Sequence, residues 1–351
     1  MRVLGLDVGG ANIKALLLEV LEGKIRKLET LRFYWPLWKL GKNSVVEGIK
    51  RVKQQLGDTE GIVLTTTAEV CDIFESKREG IKEVISSVKE VYPETKIRTV
   101  TVNGKLVDEN HASNKPLEIA SANWYATGYL ASKFFENCLV IDIGSTTTSI
   151  IPVIDGKVQA VGKTDVEKLS VGELVYTGLL RTNISFIAQR VPIRGYWTSV
   201  SPELFALTAD VYLVLNQIKE EEYTTETADN RGRSRSECLA RLARVVCADS
   251  NMLSEDELEL LARFIRFKQI NMIAEALWQV CSRFPSKFKQ LRAIVTGIGK
   301  DILARRACEI IGIKEIFDLD SLVGYPVSPV APCLGLCVMF LDELGVRVKW
   351  K

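Results

Sequence analysis

The sequence predicts an α/β protein made from two copies of one unit, and three observations carry that prediction. "GLDVGGANIKALLLE" (5–19) runs an apolar strand into Asp7, then through glycines, Asn and Lys, and back into apolar residues. "VIDIGSTTTSIIPVIDGK" (140–157) repeats the order with Asp142, Gly144 and a run of hydroxyl residues. The two aspartates are 135 residues apart (142 − 7), and each segment leads to a hairpin signal, "LEGK" or "IDGK". One such feature can be accident; two in matching context point to duplication.

The elements follow from residue patterns. "RVLGLD" reads as a buried strand ending in Asp7, and "KALLLEV" and "KIRKLETLRFY" flank the first turn as a hairpin. "SVVEGIKRVKQQLG" has apolar residues at helical spacing and a Gly stop. "GIVLTTT" and "KIRTVTV" read as strands, separated by a helix, "REGIKEVISSVKEVYP", that ends before Pro93. "PLEIASANWYATGYLASKFF" is expected as one helix with small residues at its centre. In the second unit "CLVIDIG" and "TSIIPVI" are strands, and "IDGK" turns into "KVQAVGK". "RAIVTGIGKDILARRACEIIG" reads as strand, Gly turn and helix, and "APCLGLCVMFLDELG" as a closing helix. A length of 351 residues favours two domains. The expected division is 1–135, with the closing helix at 331–345 packing back, and 136–330 with a helical insertion over 170–285. Residues 220–237, "EEEYTTETADNRGRSRSE", are expected as a polar loop that suits either solvation or a partner surface.

Composition narrows the function classes. Hydrophobic content of 47% and charged content of 26% are those of a soluble globular chain. A net charge of +2, with both signs interspersed, argues against a nucleic-acid surface. No apolar run approaches the roughly 20 residues that span a bilayer. "MRVLGLD" opens directly as a strand, so a cytoplasmic location is expected. The eight cysteines lie mostly among apolar neighbours and read as small core residues; Cys333 and Cys337 share a helix face. A single histidine, His111, in the polar "VDENHASNKP", leaves little room for Ser-His or Cys-His catalysis or for a soft-ligand metal site.

The Asp-Gly hairpins point to phosphate. Glycines after a strand let backbone N–H groups face an anion without a Cβ in the way. A carboxylate beside phosphate calls for a cation, so Asp7 and Asp142 are candidate Mg²⁺ ligands, acting partly through water. Gly9, Gly10, Asn12 and Lys14 from one loop, and Gly144, Ser145, Thr146, Thr147 and Thr148 from the other, are candidate phosphate contacts. Gly297 and Gly299 of "AIVTGIGK" (293–300) open a helix with Lys300 and form a third candidate, facing an anion or a base. The structural alternative for each is an ordinary strand turn. "LTTTAEVCDIFESKREG" (64–80) sets Glu69, Asp72, Glu75, Lys77 and Glu79 beyond a strand end, where α/β proteins gather ligand groups. Its bland alternative is a solvated helix cap.

The order "DVGGAN", "ASANWYATGYL", "DIGSTTT", "VTGIGK", "APCLGLCVMF" resembles the phosphate 1, connect 1, phosphate 2, adenosine and connect 2 segments of the actin-like ATPase superfamily. That resemblance covers nearly the whole chain and implies two ribonuclease-H-like domains with a site in the cleft. "VGELVYTGLLRTN" (171–183) resembles the hydantoinase and oxoprolinase branch. Together with "LTTTAEVCDIFESKREG" and "SANWYATGYLAS", it resembles the furanmethyl–tyramine ether synthase family of methanofuran biosynthesis, found in archaea and methylotrophs. The resemblance implies a transferase that joins 5-(aminomethyl)-3-furanmethyl diphosphate to the phenol oxygen of γ-glutamyltyramine, releasing pyrophosphate. Under it Asp7, Asp142, Asp72, Glu69 and Lys77 are the candidate catalytic residues, with the base among Asp72, Glu69 and Lys77 left open. Trp124 and Tyr125 are candidates to stack on furan or phenol, or else to pack a helix on the core. Two other readings stay open: an ATP-dependent kinase or hydantoinase-type amidohydrolase, and a non-catalytic ATP-binding regulator. Mg²⁺ is expected, ATP is left open, the partners expected are small molecules, and a homo-oligomer is left open.

Overall fold

The computed structural model describes residues 1–350. Its first sheet has β1 (Arg2–Val8), β2 (Asn12–Leu21), β3 (Lys24–Tyr34), β4 (Gly61–Thr66), β5 (Lys96–Val100) and β6 (Leu106–Asp108), in the order β3-β2-β1-β4-β5-β6. β1 runs antiparallel to β2 and parallel to β4, and β4 runs parallel to β5. The second sheet repeats this with β7 (Cys138–Ile143), β8 (Thr148–Ile154), β9 (Lys157–Val158), β10 (Leu174–Val175) and, after an insertion, β13 (Arg292–Gly297) and β14 (Ile316–Asp318). The insertion carries its own two-stranded ribbon, β11 (Arg190–Ile193) and β12 (Tyr196–Ser199). Here too β7 is antiparallel to β8 and parallel to β13. β1 and β7 read as near-continuous apolar runs because central strands of such sheets are covered on both faces.

Five layers result. Helices α1 (Ser44–Leu56) and α2 (Lys77–Val91) cover the outer face of the first sheet with Val45, Ile49, Ile81 and Val84. Helices α3 (Asn123–Ala131) and α6 (Ala331–Glu343) lie between the sheets, in one core with Val3 and Val63 on one side and Val140 and Ile151 on the other. The short α4 (Asp165–Ser170) follows β9, and the long α5 (Glu255–Cys281) joins the insertion's core on the far face of the second sheet. Cys333 and Cys337 are buried in α6, with Cys337 Sγ 3.6 Å from the Val3 carbonyl. All eight cysteines are unpaired and six of them are buried, as their apolar neighbours predict.

Two elements differ from expectation. The single helix expected over 116–135 is broken: Pro116–Glu118 is a short turn of 3₁₀ helix, and α3 begins only at Asn123. Ala120 bridges to Thr66 at the end of β4, and Ser121 takes a left-handed backbone (φ 50°) that no helix continues through. The other difference is the edge beside β8. "KVQAVGK" supplies only two strand residues, and β10 fills the rest of that edge. His111 lies in a short helix, Glu109–Asn114, capped by Asp108, with Nε2 2.9 Å from Glu118.

The central helices cross closely. A Cβ on Gly335 of α6 would stand 2.1 Å from the Ala126 carbonyl oxygen in α3, which is backbone and cannot rotate aside. Gly335→Ala is therefore expected to destabilise the chain by about 1–3 kcal/mol through overpacking, read as a fall of several degrees in the thermal midpoint. An unchanged midpoint would show that the two helices separate freely.

Candidate functional site

The two Asp-Gly hairpins are built alike to the residue. Gly9 N–H donates to the Asn12 carbonyl at 3.0 Å, and Gly144 N–H donates to the Thr147 carbonyl at 2.9 Å. Asp7 pairs across the ladder with Lys14, and Asp142 with Ser149, so the 135-residue offset holds through both turns. Directly opposed residues of an antiparallel pair share a face. Each aspartate is thus aimed with its hairpin partner to the same side of its sheet.

The two carboxylates sense each other through one ammonium. Lys14 Nζ lies 3.2 Å from Asp7 Oδ2, and Asp7 is 2% exposed. Burial pulls the Lys14 pKa down, but Asp7 and then Asp142 outweigh it and leave it raised. Burial lifts Asp142 to about 6; Lys14 opposes that rise and the Asp7 charge adds to it. Asp7 Oδ1 is buried and has no hydrogen-bond partner. An orphaned carboxylate oxygen beside a second carboxylate pushed towards its neutral form is what a hard divalent cation would satisfy. No cluster of three or more acidic, Cys or His side chains able to hold a metal exists among the described residues. The protein thus supplies two carboxylates, a set that fits Mg²⁺ with water and phosphate oxygens completing its shell.

The second loop is clamped from behind by the "VGELVYTGLLRTN" stretch. Leu179 N–H donates to the Gly144 carbonyl at 3.0 Å, and Leu180 and Arg181 N–H groups donate to the Ser145 carbonyl at 3.0 and 2.9 Å. Arg181 turns back to place Nη1 3.3 Å from Thr146 Oγ1 and stacks on Trp38 at 4.6 Å. Ser145, Thr146 and Thr147 sit in the open turn. Thr148 does not: its hydroxyl is fully buried and donates to the Thr177 carbonyl at 2.8 Å, so it holds the clamp. The third candidate element also has a packing explanation. Gly297 has φ 81°, and a Cβ there would meet the Ile143 carbonyl at 2.3 Å; one on Gly299 would meet the Ile143 side chain at 2.5 Å. Lys300 is engaged by Asp318 Oδ2 at 2.7 Å and by Asp320, which leaves no free ammonium at that turn.

The acidic stretch after β4 divides into two parts. Ser76 caps α2, Glu79 accepts from the Glu75 N–H at 2.7 Å and pairs with Lys42, and Glu75 is exposed; this half is the helix cap. Asp72 is exposed too, met by the Cys71 thiol at 3.7 Å, and does not join Glu69 and Lys77. Glu69 and Lys77 belong to a knot that ties the two halves together. Ser121 Oγ donates to Glu69 Oε1 at 2.8 Å and lies 3.1 Å from Asp165 Oδ2 of α4, and Lys77 Nζ reaches the same Asp165 oxygen at 2.7 Å. Glu69 is 2% exposed and its Oε2 has no partner. Burial raises its pKa to about 7 against the Ser121 hydrogen bond. Lys168, one turn on from Asp165, is buried, and burial lowers its pKa to about 8 despite Glu173 and Asp165. Its Nζ sits 3.8 Å from the Trp124 ring, so Trp124 packs under a lysine, while Tyr125 packs against Trp124 at 5.7 Å. A carboxyl near 7 with a free oxygen, next to a tethered cation, is a competent proton acceptor.

Ser121, Asp165, Lys168 and Arg181 do not stand out in the sequence as site residues. Arg181 lies inside a stretch that does stand out, whereas nothing local marks Ser121 or Lys168.

Residues 60–324 match the hydantoinase/oxoprolinase family. The (4-{4-[2-(gamma-L-glutamylamino)ethyl]phenoxymethyl}furan-2-yl)methanamine synthase of Methanocaldococcus jannaschii is 36% identical over 335 residues, 95% of this chain and 97% of that protein. The synthase of the same name from Methanococcus vannielii is 33% identical over 223 residues, 63% of this chain and 98% of that protein. Among solved structures, nucleotide-free acetone carboxylase superposes with a TM-score of 0.57 over 96% of this chain and 70% of that chain, at 10% identity. That likeness speaks for the fold alone: the mixed α/β, two-sheet, actin-like ATPase architecture.

The Glu69 carboxyl gives a stability test with a defined sign. Its folded pKa, about 7, lies above the ordinary value of 4.5. Folding therefore favours the protonated form, and the stability tied to that proton is present below pH 4.5 and lost as pH rises through 7. Glu69→Gln keeps an acceptor for Ser121 and removes the buried charge. It is expected to raise the thermal midpoint at pH 8 relative to the parent, with the gain vanishing by pH 4. A variant less stable at pH 8 would mean the ionised carboxylate is well solvated.

Proposed function

The chain belongs to the hydantoinase/oxoprolinase family and, within it, to the family of the furan-2-yl methanamine synthases, and from that premise we propose that it forms an aryl ether from 5-(aminomethyl)-3-furanmethyl diphosphate and γ-glutamyltyramine. Membership makes it a synthase of methanofuran biosynthesis. Substrates and leaving group are the finer part of the proposal. Its main support is the partly buried Asp7–Lys14–Asp142 centre between two hairpins whose N–H and hydroxyl groups suit a diphosphate.

In this reading the bond between the furanmethyl carbon and the diphosphate oxygen breaks, and pyrophosphate leaves with the electron pair. The phenol oxygen bonds to that carbon, and the phenol proton passes to Glu69 Oε2. The furan ring shares the positive charge growing on its methylene carbon, so departure leads attack. Lys14 and the turn N–H groups stabilise charge on the leaving pyrophosphate, in a site where such interactions are little screened. Asp7 and Asp142 would hold Mg²⁺, which when bound would supply further charge neutralisation. A phenol ionises near 10, so it needs the base. Glu69 is the member of the candidate trio with a free buried oxygen and a pKa moved towards neutrality. Lys77 acts through Asp165 and Ser121 to position it. The partners are then two small molecules. We place the protein in the cytoplasm; no described helix is long and apolar enough to cross a membrane.

The ATP-dependent readings drew on the "VTGIGK" turn as a base-binding element. Its glycines pack on Ile143 and its lysine is held by Asp318 and Asp320, so the residues that mark the turn also have a packing role.

Three variants test the reading. Asp7→Asn and Asp142→Asn are expected to abolish ether formation in a pyrophosphate-release assay, and near-parental rates in both would end the diphosphate-cleft account. In the parent, kcat is expected to rise with pH and level off above about 7, as Glu69 loses its proton. Glu69→Gln should lower kcat by about 10²–10⁴ and remove that limb. Retention of both the rate and the limb would assign the base elsewhere.

A further inference from the structure

Next to the Asp7–Lys14 pair lies a cavity of about 330 Å³ that the reaction above leaves unused. Asn12, Arg32, Tyr34, Thr224 and Pro329 are among its walls. Its floor is the continuation of the site's own ladder. Asp7 pairs with Lys14, Lys14 with Arg32, and Asn12 with Tyr34, so these side chains project from one face of three adjacent strands. At about 4.8 Å per strand, the Arg32 backbone is about 10 Å from that of Asp7. The roof comes from the other half of the molecule. Pro326, Pro329 and Val330 precede α6, and Thr224 belongs to the polar 220–237 segment, which Glu226 fastens to Lys39 at 2.6 Å. That segment, expected as a polar loop, thus contributes Thr224 to the cavity wall.

Arg32 is the odd member of this cavity. Two other sheltered arginines have carboxylates: Arg241 has Asp210 at 2.7 Å and Asp229 at 3.0 Å, and Arg98 has Glu343 at 3.0 Å. The Arg32 side chain has no hydrogen bond or ion pair among the described residues, burial lowers its pKa, and its charge opposes that of Lys14. A half-buried guanidinium held beside a second cation with no counterion is costly unless a ligand brings one. Its planar fork matches a carboxylate in two parallel hydrogen bonds, and the Asn12 amide and Thr224 hydroxyl add polar groups at the rim.

The diphosphate already has Lys14 and both hairpins. The acceptor has one free anionic group, the α-carboxylate of its γ-glutamyl arm, at the end away from the reacting phenol. We propose that Arg32 binds this α-carboxylate, and that the cavity is the acceptor's γ-glutamyl subsite. The assignment rests on the proposed ether synthesis for the identity of the acceptor. It explains why the edge strand of the first sheet and the 220–237 segment meet here: together they read the acceptor's tail while Glu69 meets its phenol.

Calorimetry with Mg²⁺ and pyrophosphate present, using γ-glutamyltyramine and tyramine as probes, tests the subsite apart from turnover. Arg32→Gln is expected to weaken γ-glutamyltyramine binding about 10- to 100-fold, to leave tyramine and pyrophosphate binding within about twofold, and to raise only the acceptor KM. Arg32→Lys, which keeps the charge but loses the fork, should fall between, and both variants should melt no lower than the parent. Equal weakening of pyrophosphate would give Arg32 to the diphosphate and overturn the proposal. So would unchanged binding of every probe, or no binding of γ-glutamyltyramine to the parent at millimolar concentration. Arg32-dependent binding without ether formation would sink the reaction and keep the subsite. Ether formation with an Arg32-independent acceptor KM would do the reverse.

Discussion

The Lys14 ammonium between Asp7 and Asp142 is the interaction on which the rest of the structure depends. Two carboxylates on matching strands of two sheets can face one cleft only if their charge is balanced; Asp7 is buried and Asp142 half-buried. One lysine, present in the first copy of the hairpin and replaced by Ser149 in the second, does this for both. The duplication is therefore symmetric in backbone and asymmetric in charge. Asp7 keeps one buried carboxylate oxygen without a partner and burial lifts Asp142 towards neutrality, a centre that suits the proposed Mg²⁺ and diphosphate together.

Around it, contacts between the halves carry function as well as packing. The Lys77–Asp165 pair and the Ser121 hydroxyl join loops at the ends of the two sheets, and Glu69 is caught between them. Lys77 and Asp165 are both partly exposed, so the pair itself adds little stability. Its effect is to fix Ser121, whose left-handed backbone aims the hydroxyl at both carboxylates. On the opposite side Arg181 lies on Trp38, and Glu226 holds Lys39. The cleft is bounded by polar contacts of modest strength, whereas the layer of α3 and α6 beneath is apolar and tightly crossed.

The sequence showed what short-range chemistry dictates. Asp7-Val-Gly-Gly and Asp142-Ile-Gly-Ser are legible because a strand that ends in a turn needs those residue types within a few positions, and the repeat confirms the pattern. The closing helix and the α/β alternation are legible from period alone. The break before α3 was not. Small residues from Ala120 to Ala122 hide a bridge to Thr66 that exists only in the folded sheet. Lys168 and Arg32 look like ordinary surface charges in "DVEKLS" and "KLETLRFY". Their burial comes from Trp124 and Glu173 in one case and from the roof at Pro326–Val330 in the other, contacts that local pattern does not encode. In the "LTTTAEVCDIFESKREG" stretch, cap and site readings were both present, divided between Glu75 and Glu79 on one hand and Glu69 and Lys77 on the other.

The central claim is that a cleft of the actin-like ATPase type here holds a substrate's diphosphate instead of a nucleotide. Calorimetric titration of the Mg²⁺-loaded protein with pyrophosphate, and separately with ATP, tests it most directly. Saturable, Mg²⁺-dependent pyrophosphate binding that Asp7→Asn removes is expected, with no ATP hydrolysis and no comparable ATP affinity. Tight ATP binding accompanied by hydrolysis, with pyrophosphate bound weakly or not at all, would contradict it.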